Sequence, residues 1–90
     1  MAGPSLPGDD LVRAGLDDLA RDVVSIPSLL VSIGAPRLRA LGVPLPQTID
    51  APEHRLYELL RAREPDAAHS RYNALVRRLV SFERAAACAR

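Results

Sequence analysis

The sequence predicts an all-α fold: a small compact bundle of four to five helices over about 9–24, 26–33, 36–41, 51–64 and 66–88. Three observations carry that prediction. Apolar residues recur at spacings of three and four in the long segments. No stretch alternates with a period of two, and glycine and proline sit at segment ends without forming a hairpin turn. Residues 1–8, with two prolines and two glycines, read as a flexible lead-in to a single domain over 9–90.

The first helix opens on Asp9 and Asp10, acids being favoured at the positive end of the helix dipole. Val12, Leu16, Leu19 and Val23 follow at spacings of four, three and four, which makes one apolar face. Asp9–Arg13 and Asp17–Arg21 are i,i+4 pairs on its outer side. The next stretch, SIPSLLVSIGAPRLRALGVPLP, is two short helices with punctuation. Ser25 caps the first of them, with Pro27 in its opening turn. Ile26, Leu29, Leu30 and Ile33 make it apolar nearly all round, and Gly34 suits a left-handed C-cap. Pro36 opens the second, which passes through Leu38 and Leu41 to Gly42, and Pro44 and Pro46 then hold the chain extended. Asp50 is a candidate cap for a helix carrying Leu56, Tyr57, Leu59 and Leu60, which Pro65 ends. Asp66 is the candidate cap of the last helix, whose stripe is Tyr72, Leu75, Val76, Leu79 and Phe82. The first and last helices are expected to supply the main core.

Composition narrows the function classes. The 90 residues carry 12 basic and 11 acidic groups, so a net charge of +1 steers the chain toward neither nucleic acid nor membrane. Every basic residue is arginine, which suits bidentate recognition of carboxylate or phosphate and equally suits a GC-rich coding sequence. With only Tyr57, Tyr72 and Phe82 as aromatics, the core is aliphatic and modest, and a partner or a second copy of the chain (a homodimer) would complete it. Cys88 stands alone, so no intrachain disulfide is expected. The opening MAGPSLPGDD has no basic-then-apolar pattern, and the longest apolar run is too short to span a bilayer. A soluble, cytoplasmic protein is expected.

No catalytic or metal constellation emerges, and no cofactor is expected. His54 and Glu58 share a helix face at i,i+4, but no third ligand stands nearby at a metal-binding spacing. Asp66, His69 and Ser70 are the residue types of a hydrolytic triad, yet adjacent helical side chains point about 100° apart, so His69 and Ser70 do not face one another. LLVSIGAPRLRALG is similar over that one segment to a helix-hairpin-helix turn. The resemblance implies phosphate contact by Arg37 and Arg39. Ser32 stands where that motif has its second glycine, and Pro36 removes an amide. The plainer reading is two core helices joined by a glycine cap.

Charge is uneven along the chain: residues 1–50 hold four arginines and six acids, and residues 51–90 hold eight and five. On the last helix Arg77 and Arg84 project nearly opposite the apolar stripe. Arg71 and Arg78 lie at the stripe's edge, roughly 120° around from them at 100° per residue. Arg71 and Arg78 are therefore expected to meet carboxylates of the first helix, with Asp17, Asp18 and Asp22 as candidates. Arg77 and Arg84, with Arg37 and Arg39, are the candidate partner-binding residues. The functional expectation is a small non-catalytic interaction or regulatory protein that binds another protein, of antitoxin, immunity or adaptor type. The alternative is a nucleic-acid-binding module built on the arginines of the last helix.

Overall fold

The computed structural model describes residues 6–45 and 47–89; residues 1–5 of the expected lead-in, Pro46 and Arg90 lie outside them. The described chain forms five helices and no strand: α1 (Asp9–Ala20), α2 (Ile26–Ile33), α3 (Ala35–Ala40), α4 (Pro52–Arg63) and α5 (Ala68–Cys88). Its radius of gyration, 12.9 Å, is close to the roughly 12 Å of a compact chain of this length.

The core is centred on α2, not on the first and last helices as the amphipathic patterns suggested. Leu29, Leu30 and Val31 of α2 are 1%, 0% and 0% exposed, and α2 packs against α1, α3, α4 and α5. A helix apolar on every side has to be surrounded, and eight residues are enough to receive one helix on each flank. Leu38 of α3, Leu56 and Leu60 of α4, and Leu75, Leu79 and Phe82 of α5 close around it.

Buried hydroxyls settle the polar atoms of this central helix. Ser25 and Ser28 form a reciprocal capping box: Ser28 N–H donates to Ser25 Oγ at 3.1 Å, and Ser25 N–H donates to Ser28 Oγ at 2.7 Å. Ser32 Oγ donates to the Ser28 carbonyl at 2.8 Å and accepts from the Ile49 N–H at 3.1 Å. The last bond pins the 42–51 connection to the core.

Two helices stop by the same device. At the end of α1, Asp22 takes a left-handed conformation (φ 56°), with Val23 N–H on the Asp18 carbonyl and Asp22 N–H on that of Leu19. At the end of α3, Gly42 (φ 93°) repeats the pattern, with Val43 N–H on the Leu38 carbonyl and Gly42 N–H on that of Arg39. Both are Schellman closures. The first ends α1 at Ala20, short of the expected residue 24, and leaves Val23 and Val24 43% and 51% exposed.

Gly34 serves close approach where a left-handed stop was expected. Gly34 is at φ −87°, outside the left-handed region. A Cβ there would lie 2.9 Å from both Glu83 Oε2 and Leu79 Cδ2, so the missing side chain lets α5 reach the α2–α3 junction. Gly15, in the middle of α1, is buried, and its Cβ would collide with the Pro27 carbonyl and approach Val31 Cγ1 to 2.7 Å. Neither α4 nor α5 begins on the acid expected to cap it. Ala51 (φ 47°) and Ala67 hold those positions without side-chain caps. Tyr57 and Tyr72 join the two helices edge to face, with ring centroids 6.1 Å apart.

Candidate functional site

Helix α5 divides the arginines by what lies beside each face. On one side, Arg78 Nη2 donates to Asp10 Oδ1 at 2.8 Å, where the start of α1 crosses α5. The crossing is close: a Cβ on Gly8 would stand 2.6 Å from the Arg78 carbonyl oxygen. Arg71 Nε lies 3.6 Å from Glu64 Oε2, at the end of α4. Asp17, Asp18 and Asp22 are not brought to either arginine. Asp18 accepts from Ser25 Oγ at 2.6 Å and from Arg21 at 3.4 Å, Asp22 accepts from Gln47 at 3.0 Å, and Asp17 offers its backbone carbonyl to Arg21 Nε at 3.4 Å. All three lie at the far end of α1, more than a helical turn beyond Asp10.

On the opposite side of α5 lies a cleft of about 290 Å³. Ile33, Gly34, Pro36 and Arg37 form one wall, and Val76, Leu79, Val80 and Glu83 form the other. Val80 stands three residues after Arg77 and four before Arg84, so the three side chains share one strip of the helix surface. Both arginines are exposed, and among the described residues neither has an ion pair or a side-chain hydrogen bond. Arg37 stands on the wall facing Glu83, where its charge favours the ionised carboxylate. Arg39 is committed elsewhere: its guanidinium donates to the Leu45 carbonyl at 3.3 and 3.4 Å, tying the chain after α3 back onto that helix. Of the four candidate partner-binding arginines, Arg37 thus lines the cleft, and Arg77 and Arg84 flank its Val80 on the helix surface.

Glu83 went unnoticed as a site residue. It is 8% exposed and lines the cleft, and among the described residues nothing donates a hydrogen bond to it. Burial raises its pKa above the ordinary carboxylate value, and the Arg37 charge opposes that rise. The signal was present in the spacing, since Glu83 falls four residues after Leu79 and seven after Val76, on the apolar side of α5. Its carboxylate covers the Gly34 turn, where the helix-hairpin-helix resemblance would seat a phosphate. An anion there would meet like charge.

His69 and Ser70 are separately engaged. Ser70 Oγ donates to the Ala67 carbonyl at 3.1 Å, and His69 Nε2 lies 3.3 Å from Asn73 Nδ2. Among the described residues no three His, Cys, Asp or Glu side chains gather as a metal site. Cys88 is exposed on the last turn of α5. Among the described residues no helix is long and apolar enough to cross a membrane. A second, smaller cleft of about 100 Å³ lies beside the exposed Val23 and Val24, against Leu19 and Ile49.

The chain matches no family model, no curated protein and no solved structure.

Proposed function

We propose that this chain is a non-catalytic interaction protein, of the antitoxin, immunity or adaptor kind, that works in the cytoplasm and binds another protein through the α3–α5 cleft. The observation that carries the reading is an uncovered apolar cleft, walled by Ile33, Pro36, Val76 and Val80, beside two arginines that make no ion pair within the described chain. Its volume of about 290 Å³ falls at the lower edge of the range for enclosed small-molecule sites, roughly 300–1,000 Å³. A cleft that small suits side chains projecting from a larger partner. A nucleic-acid role draws less support. Arg39 is tied to the chain's own backbone, and the three other cations, one of them facing a carboxylate, make a small electrostatic footprint.

The test is affinity capture from the source cell with the wild-type chain and with Val80→Asp, each checked for folding by thermal melting. One stoichiometric protein retained by wild type and lost by the variant supports the reading. If that protein is the chain itself, sedimentation equilibrium will show a dimer that Val80→Asp dissociates. Equal recovery by both chains would falsify the assignment of the cleft. Retardation of DNA or RNA that falls steeply with salt would replace the reading with the nucleic-acid one.

A further inference from the structure

Resting on the protein-binding reading, we infer that the partner enters the α3–α5 cleft as an acidic amphipathic helix with a tyrosine or tryptophan at its centre, its carboxylates facing Arg37, Arg77 and Arg84 and its aromatic donor reaching Glu83.

The shape of the cleft comes first. Val76, Val80 and Glu83 follow one another at spacings of four and three, which makes a row two turns long, about 10 Å at 1.5 Å per residue. With the α2–α3 junction as the opposite wall, that row forms one side of a short groove. A helix lying in such a groove inserts side chains at i, i+3, i+4 and i+7.

The charge on the lips comes second. Arg77 and Arg84 are seven residues apart on the α5 strip that carries Val80, just outside the wall, and Arg37 lines the opposite wall. Carboxylates two turns apart on the incoming helix match the first pair, and a carboxylate on its other flank matches Arg37. A helix with basic flanks would face three guanidinium groups and is disfavoured.

The floor comes third. Glu83 is more than nine-tenths buried, lines the cleft, and receives no hydrogen bond from the described residues. An aliphatic anchor pressed into the groove would strip its remaining water and leave the acceptor unpaired. A Tyr O–H or Trp N–H brings a donor on an apolar body, which satisfies the carboxylate while filling the space between the valines and Pro36. A lysine or arginine anchor also donates, but has to pass the three cations of the rim.

The test uses the full chain and three synthetic helical peptides with one common apolar face, read by fluorescence anisotropy. One has acidic flanks and a central tyrosine, the second the same flanks with phenylalanine, and the third lysine flanks with tyrosine. The acidic tyrosine peptide is expected to bind about tenfold or more tighter than the lysine peptide, a preference that Arg77→Glu/Arg84→Glu removes. It is expected to bind about fivefold tighter than its phenylalanine counterpart, and Glu83→Leu removes that difference. Glu83→Ala is a second, smaller replacement in case the leucine disturbs packing. Equal binding of acidic and lysine peptides, an indifference to tyrosine against phenylalanine, or no binding of any peptide overturns the inference. Loss of the captured protein in Val80→Asp alongside any of those results leaves the protein-binding reading standing and removes only this description of the occupant. Capture unaffected by Val80→Asp removes both.

Discussion

At Gly15 the absence of a side chain decides how close two helices come. A helix interior is an unfavourable place for glycine, by about 0.5–1 kcal/mol against alanine, so its presence needs a compensating contact. Here the contact is with the backbone of α2 at Pro27, which no side-chain rotation relieves. Gly15→Ala is expected to destabilise the fold by about 3 kcal/mol or more, in the upper range of overpacking effects, and denaturant unfolding will read it. Glu83 is the other residue whose surroundings override its type. Because burial raises its pKa, the folded chain holds that proton to higher pH than the unfolded chain does. Its contribution to stability is therefore complete below the ordinary value of 4.5 and is lost as pH rises through the raised one. Glu83→Gln cannot ionise, so the stability difference between variant and wild type is expected to move in the variant's favour as pH climbs through that interval. Unfolding midpoints of both chains across that interval measure it, and a difference that stays flat with pH counts against the burial argument.

Among the elements, α2 depends most on its cap. An eight-residue helix has few internal hydrogen bonds relative to its unsatisfied ends, and isolated helices of that length are not stable in water. Ser25 supplies half of the capping box and also donates to Asp18 Oδ2 at 2.6 Å, linking the start of α2 to the end of α1. Ser25→Ala removes both roles and is expected to lower stability by about 1–2 kcal/mol, toward the upper end for a lost cap. Asp18→Ala should then add less to Ser25→Ala than it costs alone, which a double-mutant cycle will show. Most of α2 was legible in the sequence: Ser25, Pro27 and the run Ile26–Ile33 define its bounds. Its centrality was not, because the short helix carries a weaker periodic signal than its long amphipathic neighbours. The ends of α1 and α5 were less legible. Asp22 closes α1 in a conformation that favours glycine, and Asp66 does not cap α5 although its type suits a cap.

For the whole molecule, the arginines fall into those that hold the fold together and those that face outward. Arg78 on Asp10 joins the two ends of the chain, and Arg39 on Leu45 fastens a connection. Arg77 and Arg84 are exposed and make no ion pair or side-chain hydrogen bond among the described residues. Their double replacement by alanine is expected to change stability by less than about 0.5 kcal/mol while weakening partner capture, so melting and capture performed together separate the two roles. A large loss of stability would place these arginines in the fold instead. By itself the sequence determined the helical class, a count of four to five helices and most of their limits, because periodicity, capping residues and proline act over a few positions. It also divided the arginines of α5 into two rows, which is a property of one helix. Tertiary structure alone decided what each row meets: Asp10 and Glu64 on one side, a cleft with a buried glutamate on the other. Those neighbours come from α1, from the end of α4 and from the α2–α3 junction. Their approach depends on the glycines at 8, 15 and 34, whose purpose is visible only once the opposing backbone or side chain is in place.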